Sequence, residues 1–144
     1  MTTRTSEIVW RLRLKAAPRS VFALLTTDEG RASFWAERTV QEGDAITFRF
    51  PSGEVLASRI LELAPPHRFS LTYFDATTVT FELEPAGEGT DLRLHEANVP
   101  AATEAENRAG WVSVLLNLKA RADHGIDLRN HDPECTWSKG YVDN

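Results

Sequence analysis

Residues Thr103 to Ile126 carry the longest helical period in the chain, and a helix of that length with one apolar side must find an apolar surface to cover. Trp111, Leu115, Leu118, Ala122 and Ile126 fall at i, i+4, i+7, i+11 and i+15, with Val112 and Leu116 widening the stripe. Ser113, Asn117, Arg121 and His124 lie opposite. Pro100 stops the preceding segment, Thr103 and Glu106 have the spacing of a capping box, and Gly125 stands where a helix commonly ends. The surface to be covered has to come from the residues before the helix.

Those residues read mostly as strands. Glu7 to Lys15 alternates, with Ile8, Trp10, Leu12 and Leu14 on one face and Arg11, Arg13 and Lys15 on the other. Ala17-Pro18 opens a short helix carrying Val21, Phe22, Leu24 and Leu25, and Thr27-Asp28 caps a second that carries Phe34 and Trp35. From Glu37 to Asn98 the period is two. Ala45 to Phe50 alternates, and Pro51-Ser52-Gly53 turns into Glu54 to Leu63. That segment has a mixed pattern, which predicts a bulge, and Pro65-Pro66 ends it. Arg68 to Phe74 and Ala76 to Glu84 follow around Asp75, and Gly87-Glu88-Gly89 leads into Thr90 to Asn98. The order is a strand, two short helices, about six consecutive strands and one long helix. It predicts an α+β fold in which a strongly curved antiparallel sheet of six or seven strands holds the long helix across its concave face.

The chain of 144 residues, with 42% hydrophobic and 26% charged content, suits one domain spanning 1–144. Residues 127–144 form a polar, turn-rich tail that still carries Leu128, Trp137, Tyr141 and Val142, so it is expected to pack on the domain or on a dimer partner. A net charge of -5 argues against a nucleic-acid partner. The one cysteine, Cys135, cannot form an internal disulfide, and no run is long and apolar enough to span a bilayer. With no apolar leader before Glu7, a cytoplasmic location is expected.

The segments APRSVFALLTTDEGRASFW, DLRLHEANVP and GWVSVLLNLK, in this order of elements, resemble the START-like (SRPBCC, Bet v1-like) helix-grip superfamily. Within it they are most similar to the group named for the activator of Hsp90 ATPase, and the tail LRNHDPECTWSKGYVDN is similar to the ending of a bacterial subgroup. The resemblance implies a deep, mostly apolar cavity between the long helix and the sheet. Relatives bind lipids, polyketides or hormones there, some are cyclases or hydroxylase components, and others are co-chaperones, so the fold does not fix the activity. The subgroup has an acidic residue at the position of Glu96 and a glycine where this chain has Asn98.

By alternation, Trp10, Phe48, Phe50, Phe69, Tyr73, Phe81 and Trp111 face inward, either as core or as a ligand-binding wall with Leu115. Glu96, Arg59 and Arg108 are the candidate polar contacts to a ligand, with Glu104 and Arg108 also spaced as a helical i, i+4 ion pair. Glu96 is the candidate catalytic acid or base. His67, His95, His124 and His131 form no standard metal or nucleophile motif, and the spacing of His131, Asp132 and Cys135 is not that of a zinc site. No metal and no cofactor is implied. The leading expectation is a non-enzymatic binder of a small hydrophobic or amphipathic molecule. The alternatives are a co-chaperone acting through its surface and a cyclase- or dehydratase-like enzyme using Glu96.

Overall fold

The strands line up in the order β1-β7-β6-β5-β4-β3-β2, all antiparallel, in one seven-stranded sheet. The computed structural model describes residues 4–144. Its elements are β1 (Thr5–Leu14), α1 (Pro18–Thr26), α2 (Asp28–Ala32), β2 (Arg38–Glu42), β3 (Ala45–Arg49), β4 (Val55–Ala64), β5 (Arg68–Thr72), β6 (Thr78–Ala86), β7 (Gly89–Pro100) and α3 (Glu104–His124). Consecutive hairpins connect β2 to β7. Strands β1 and β2, neighbours in sequence, form opposite edges, so α1 and α2 carry the chain across the width of the sheet. The helix-grip expectation holds, with α3 laid along the concave side.

The core lies between the sheet and the helices. Ile8, Leu14, Phe48, Phe69, Leu71, Val79, Phe81, Leu83, Leu92 and Leu94 come from the inner face of the sheet. Val21, Phe22 and Leu25 of α1 cover one end, and Trp111, Leu115 and Leu118 of α3 the other. Arg31 sits fully buried where α2 meets β2, bonded to Leu25 O, Thr39, Gln41 and Asp28. These four partners engage four of its five N–H donors, which is what makes a buried guanidinium tolerable.

Several local expectations are corrected. The apolar stripe of α3 is narrower than the pattern implied: Val112 and Leu116 are exposed, and Ile126 lies beyond the helix end and is exposed too. Asn117, assigned to the polar side, is buried. Thr103 is the N-cap residue, but its hydroxyl bonds Pro100 O instead of closing a capping box with Glu106. Gly125 does end the helix, in the left-handed conformation (φ 65°), with Ile126 N–H donating to Ala120 O. The mixed pattern of β4 does mark a register shift, between Ile60 and Glu62. Asn98 has φ 63°, a conformation that glycine adopts freely and asparagine better than most residues. Asp75 and Ala76, at the β5–β6 turn, also have positive φ, 58° and 57°.

Arg129 ties the tail to the body. Its guanidinium donates to Ala36 O at 2.9 Å and Ala32 O at 2.8 Å, and pairs with Asp127 at 3.0 Å. Beside it, His131 bridges Glu37 (2.6 Å) and Asp127 (2.7 Å). Ser113 of α3 donates to Val142 O at 2.7 Å. Burial alone would raise the Asp127 carboxyl; the bonds from Arg129 and His131 outweigh it and hold that group well below the usual carboxylate range. The bonds to Asp127 and Glu37 raise the His131 imidazole above its ordinary 6.5.

Replacing Arg129 by Met leaves the Ala32 and Ala36 carbonyls without their donor and takes the guanidinium away from Asp127, which keeps His131. It is expected to lower the unfolding free energy by about 2–3 kcal/mol, read from urea denaturation. A raised imidazole stabilises the fold most while it is protonated. The stabilisation by His131 is therefore fully present below an unfolded-state value of about 6.5 and fades as pH rises through the folded-state value. The wild-type chain should melt above His131→Gln at mildly acidic pH, and the two should converge in mildly alkaline buffer.

Candidate functional site

Helix α3 is fastened to β1 and to the loop after it by several bonds along one side. Trp10 Nε1 donates to Arg108 O at 3.0 Å, and the Arg108 guanidinium lies over the Trp10 ring, 5.8 Å from its centroid. Lys119 Nζ donates to Arg13 O, and the Asp123 carboxylate accepts the amides of Lys15 and Ala16, each at 3.0 Å. All of these bonds pull the helix toward β1 and the loop after it. On the opposite side, toward the β3–β4 hairpin, the first half of α3 stands away from the sheet.

The gap is a cleft of about 510 Å³. Gly110, Trp111 and Val114 of α3 line one side; Phe50, Pro51 and Glu54 of the β3–β4 hairpin line another. Tyr73, Phe74 and Asp75 of the β5–β6 turn and Trp137 of the tail complete the rim, with Trp35 and Glu96 among the lining residues as well. Apart from Trp137, the rings form a continuous cluster. Trp35 stands 4.9 Å from Phe48, 5.9 Å from Tyr73 and 6.0 Å from Trp111 between centroids, and Tyr73 is 5.1 Å from Trp111. These are ordinary aromatic packing distances.

Glu96 is the buried polar group of this cleft. It belongs to the inward face of β7, after Leu92 and Leu94, and has no exposed surface. Trp111 Nε1 donates to its Oε1 at 2.8 Å, and Thr77 Oγ1 donates to its Oε2 at 2.6 Å. Two donors occupy two of about four lone-pair directions on a carboxylate, and no cationic side chain pairs with it among the described residues. Tyr73 Oη accepts the Trp35 indole N–H at 3.0 Å, which leaves the phenol proton free to donate. Burial, opposed by the Trp35 bond and reinforced by the charges of Glu96 and Glu54, pushes this phenol well above its ordinary value. It therefore stays protonated near neutral pH. Chemically, the site offers an apolar surface of rings, one neutral hydroxyl donor and one carboxylate acceptor.

The residues singled out from the sequence fall into three places. Tyr73, Glu96 and Trp111 meet in the cleft, with Phe50. Phe48, Phe69, Phe81 and Leu115 lie behind it as packed core; Phe69 stacks on Phe81, and Phe48 on Phe50. Trp10 and Arg108 sit on the β1 side of α3, where Arg108 also forms the i, i+4 pair with Glu104 at 2.7 Å. Arg59 is a correction. Its strand face, shared with Val55, Ala57 and Leu61, is the outer one; Leu56, Ser58 and Ile60 face in, and Arg59 pairs with Asp44 at 3.1 Å in solvent. Trp35, Phe74 and Trp137 line the cleft but were not among the predicted contacts. Trp35 comes from the turn after α2, and no periodicity in that stretch shows which way a ring will point. Among the described residues, no group of three or more His, Cys, Asp or Glu side chains is placed to hold a metal ion.

The sequence model described as "Activator of Hsp90 ATPase homolog 1-like protein" matches residues 15–123. Among solved structures, the chain is similar to the Aha1 dimer from Colwellia psychrerythraea, with 26% identity and a TM-score of 0.76 over 83% of this chain and 98% of that one. It is also similar to the protein SSP2350 from Staphylococcus saprophyticus, at 21% identity and a TM-score of 0.74 over 84% of this chain and 94% of that one. DynU16, a protein of the dynemicin biosynthetic locus, shares the fold at 17% identity and a TM-score of 0.72, over 85% of this chain and 49% of that one. No curated protein matches the sequence.

Thr77→Val removes a donor from a buried carboxylate and is expected to lower the unfolding free energy by about 1.5–3 kcal/mol. Thr77→Ser retains the hydroxyl and should cost clearly less. Equilibrium unfolding of the two variants side by side tests whether the Glu96 network holds the floor of the cleft together.

Proposed function

The chain belongs to the activator of Hsp90 ATPase homolog 1-like family, and from that premise we propose that it binds one small hydrophobic or amphipathic molecule in the cleft between α3 and the sheet. The observation that carries this reading is the ring-lined gap of about 510 Å³ with a buried carboxylate and a free phenol proton inside it. Small-molecule sites typically span about 300–1,000 Å³ and combine apolar walls with a few placed polar groups. The apolar body of the ligand lies against Trp35, Tyr73 and Trp111, and its polar end faces the Tyr73 hydroxyl, within the field of the Glu96 carboxylate beneath. Phe48, Phe69, Phe81 and Leu115 support the wall from behind and do not touch the ligand.

A protein-partner reading is favoured by a different observation. Val112 and Leu116, one turn apart on the outer face of α3, are 39% and 53% exposed. Such a patch suits a chaperone partner better than a small molecule. If this is the functional surface, the wild-type protein changes the ATPase rate of an Hsp90-type chaperone and Leu116→Glu does not. Equal rates with and without the wild-type protein remove the reading.

Gly110 provides the test of the cleft. A Cβ placed there meets no heavy atom within 4 Å, although the residue lies inside α3. Gly110→Phe therefore enters the gap with no clash at its Cβ, and it removes a glycine from a helix interior, worth roughly 0.5 kcal/mol in helix propensity. The variant should melt no lower than wild type and should take up an apolar fluorescent dye at least about tenfold more weakly. Undiminished dye binding in a folded Gly110→Phe protein shows that the dye sits elsewhere.

A further inference from the structure

The cleft carries one sign of charge. Its charged side chains are Glu54, Asp75, Glu96 and Glu106, and no lysine, arginine or histidine lines it. None of these four carboxylates has a cationic partner among the described residues. Elsewhere acidic side chains are commonly paired: Asp28 with Arg31, Asp44 with Arg59, Asp91 with Arg11 and Asp123 with Lys119. Glu54, Asp75 and Glu106 are exposed at the mouth, whereas Glu96 is buried. The six aromatic rings of the lining add the negative faces of their π-systems to the same space.

From this combination we infer that the molecule held in the cleft is an organic cation, an amine or quaternary ammonium on an apolar body. The inference rests on the ligand-binding reading above and names the chemistry that reading leaves open. A buried carboxylate without a counter-charge is costly, and a cationic ligand offsets that cost when it arrives. Glu96 already accepts two hydrogen bonds from the protein and has no exposed surface, so it acts on a cation in the cleft through its charge, in surroundings of low dielectric. A quaternary head has no N–H, but it gains from carboxylate attraction and from contact with tryptophan and tyrosine faces. The mouth carboxylates raise the local concentration of cations and repel anions, an effect that salt weakens. An anionic head such as a fatty acid's carboxylate would meet like charge at the mouth and at the floor.

The test compares four ligands with the same eight-carbon body: octyltrimethylammonium, octylammonium, octanol and octanoate. Each is titrated into the wild-type protein by calorimetry at neutral pH and low salt, below the concentration at which it aggregates. The two cations should bind at least about tenfold more tightly than octanol, with octanoate weakest. Glu96→Gln should weaken both cations several-fold more than it weakens octanol, so that the gap between them narrows. The triple variant Glu54→Gln, Asp75→Asn, Glu106→Gln changes only exposed side chains, and it should narrow the gap between cations and octanoate even if Glu96→Gln does not fold. Octanol or octanoate binding as tightly as the cations overturns the charge preference while leaving hydrophobic binding intact. Failure of all four to bind overturns both.

Discussion

One hydrogen bond, from the Trp111 indole to the Glu96 carboxylate, joins the helix of this fold to its sheet at a point that water does not reach. It runs 2.8 Å between α3 and β7, and Thr77 completes the set from the residue just before β6. Because a buried carboxylate is tolerable only when its lone pairs find donors, the position of α3 above the sheet is constrained by chemistry as well as by packing. The helix cannot slide without stranding Glu96. The fastenings to β1 act in the same sense: Asp123 holds the amides of Lys15 and Ala16, and Arg108 lies over Trp10. Burial of the Asp123 carboxyl works against its ionisation, and the bonds to those amides and to Lys119 outweigh it, so it is held below its usual value. Pinned on one long side and spaced by large rings on the other, the helix leaves a cleft instead of closing on the sheet.

Much of this architecture is visible in the one-dimensional pattern. The spacing of Trp111, Leu115 and Leu118 gives the helix and its buried side. The alternation from Glu37 onward gives the strands, and the irregularity in β4 appears as a register shift. The arrangement of the site is less legible. Alternation divides a strand into two faces without saying which one meets the helix. In β4 both faces hold apolar residues, so alternation puts Arg59 inward with Val55, Ala57 and Leu61, whereas the inner face belongs to Leu56, Ser58 and Ile60. Nor does the pattern separate a ring that lines a void from one that fills the core. Phe48 and Tyr73 both face in, yet only Tyr73 reaches the cleft.

The tail shows the limit of local reading in another way. Its aromatic residues announce that it packs somewhere, but Arg129 finds its place by donating to the carbonyls of Ala32 and Ala36, which have no sequence signature. The same holds for Arg31, whose buried position depends on acceptors from α1, α2 and β2 together. Both guanidiniums stand at the junctions between helical segments and the rest of the molecule. A planar group with several donors suits such junctions, because it can satisfy carbonyls arriving from different directions at once.

The β5–β6 corner holds Asp75 and Ala76 at positive φ, a conformation that costs a residue with a Cβ about 1–2 kcal/mol. Tyr73 and Phe74 on one side and Thr77 on the other are thereby fixed in direction, and the corner is closed by Tyr73 N–H donating to Thr77 O at 3.0 Å. This constrained corner falls at the entrance of the cleft. An incoming molecule consequently meets a doorway whose shape is settled in advance. Little ordering entropy is left to be lost on association, so discrimination among guests turns on fit and charge and owes little to any folding of the rim around them.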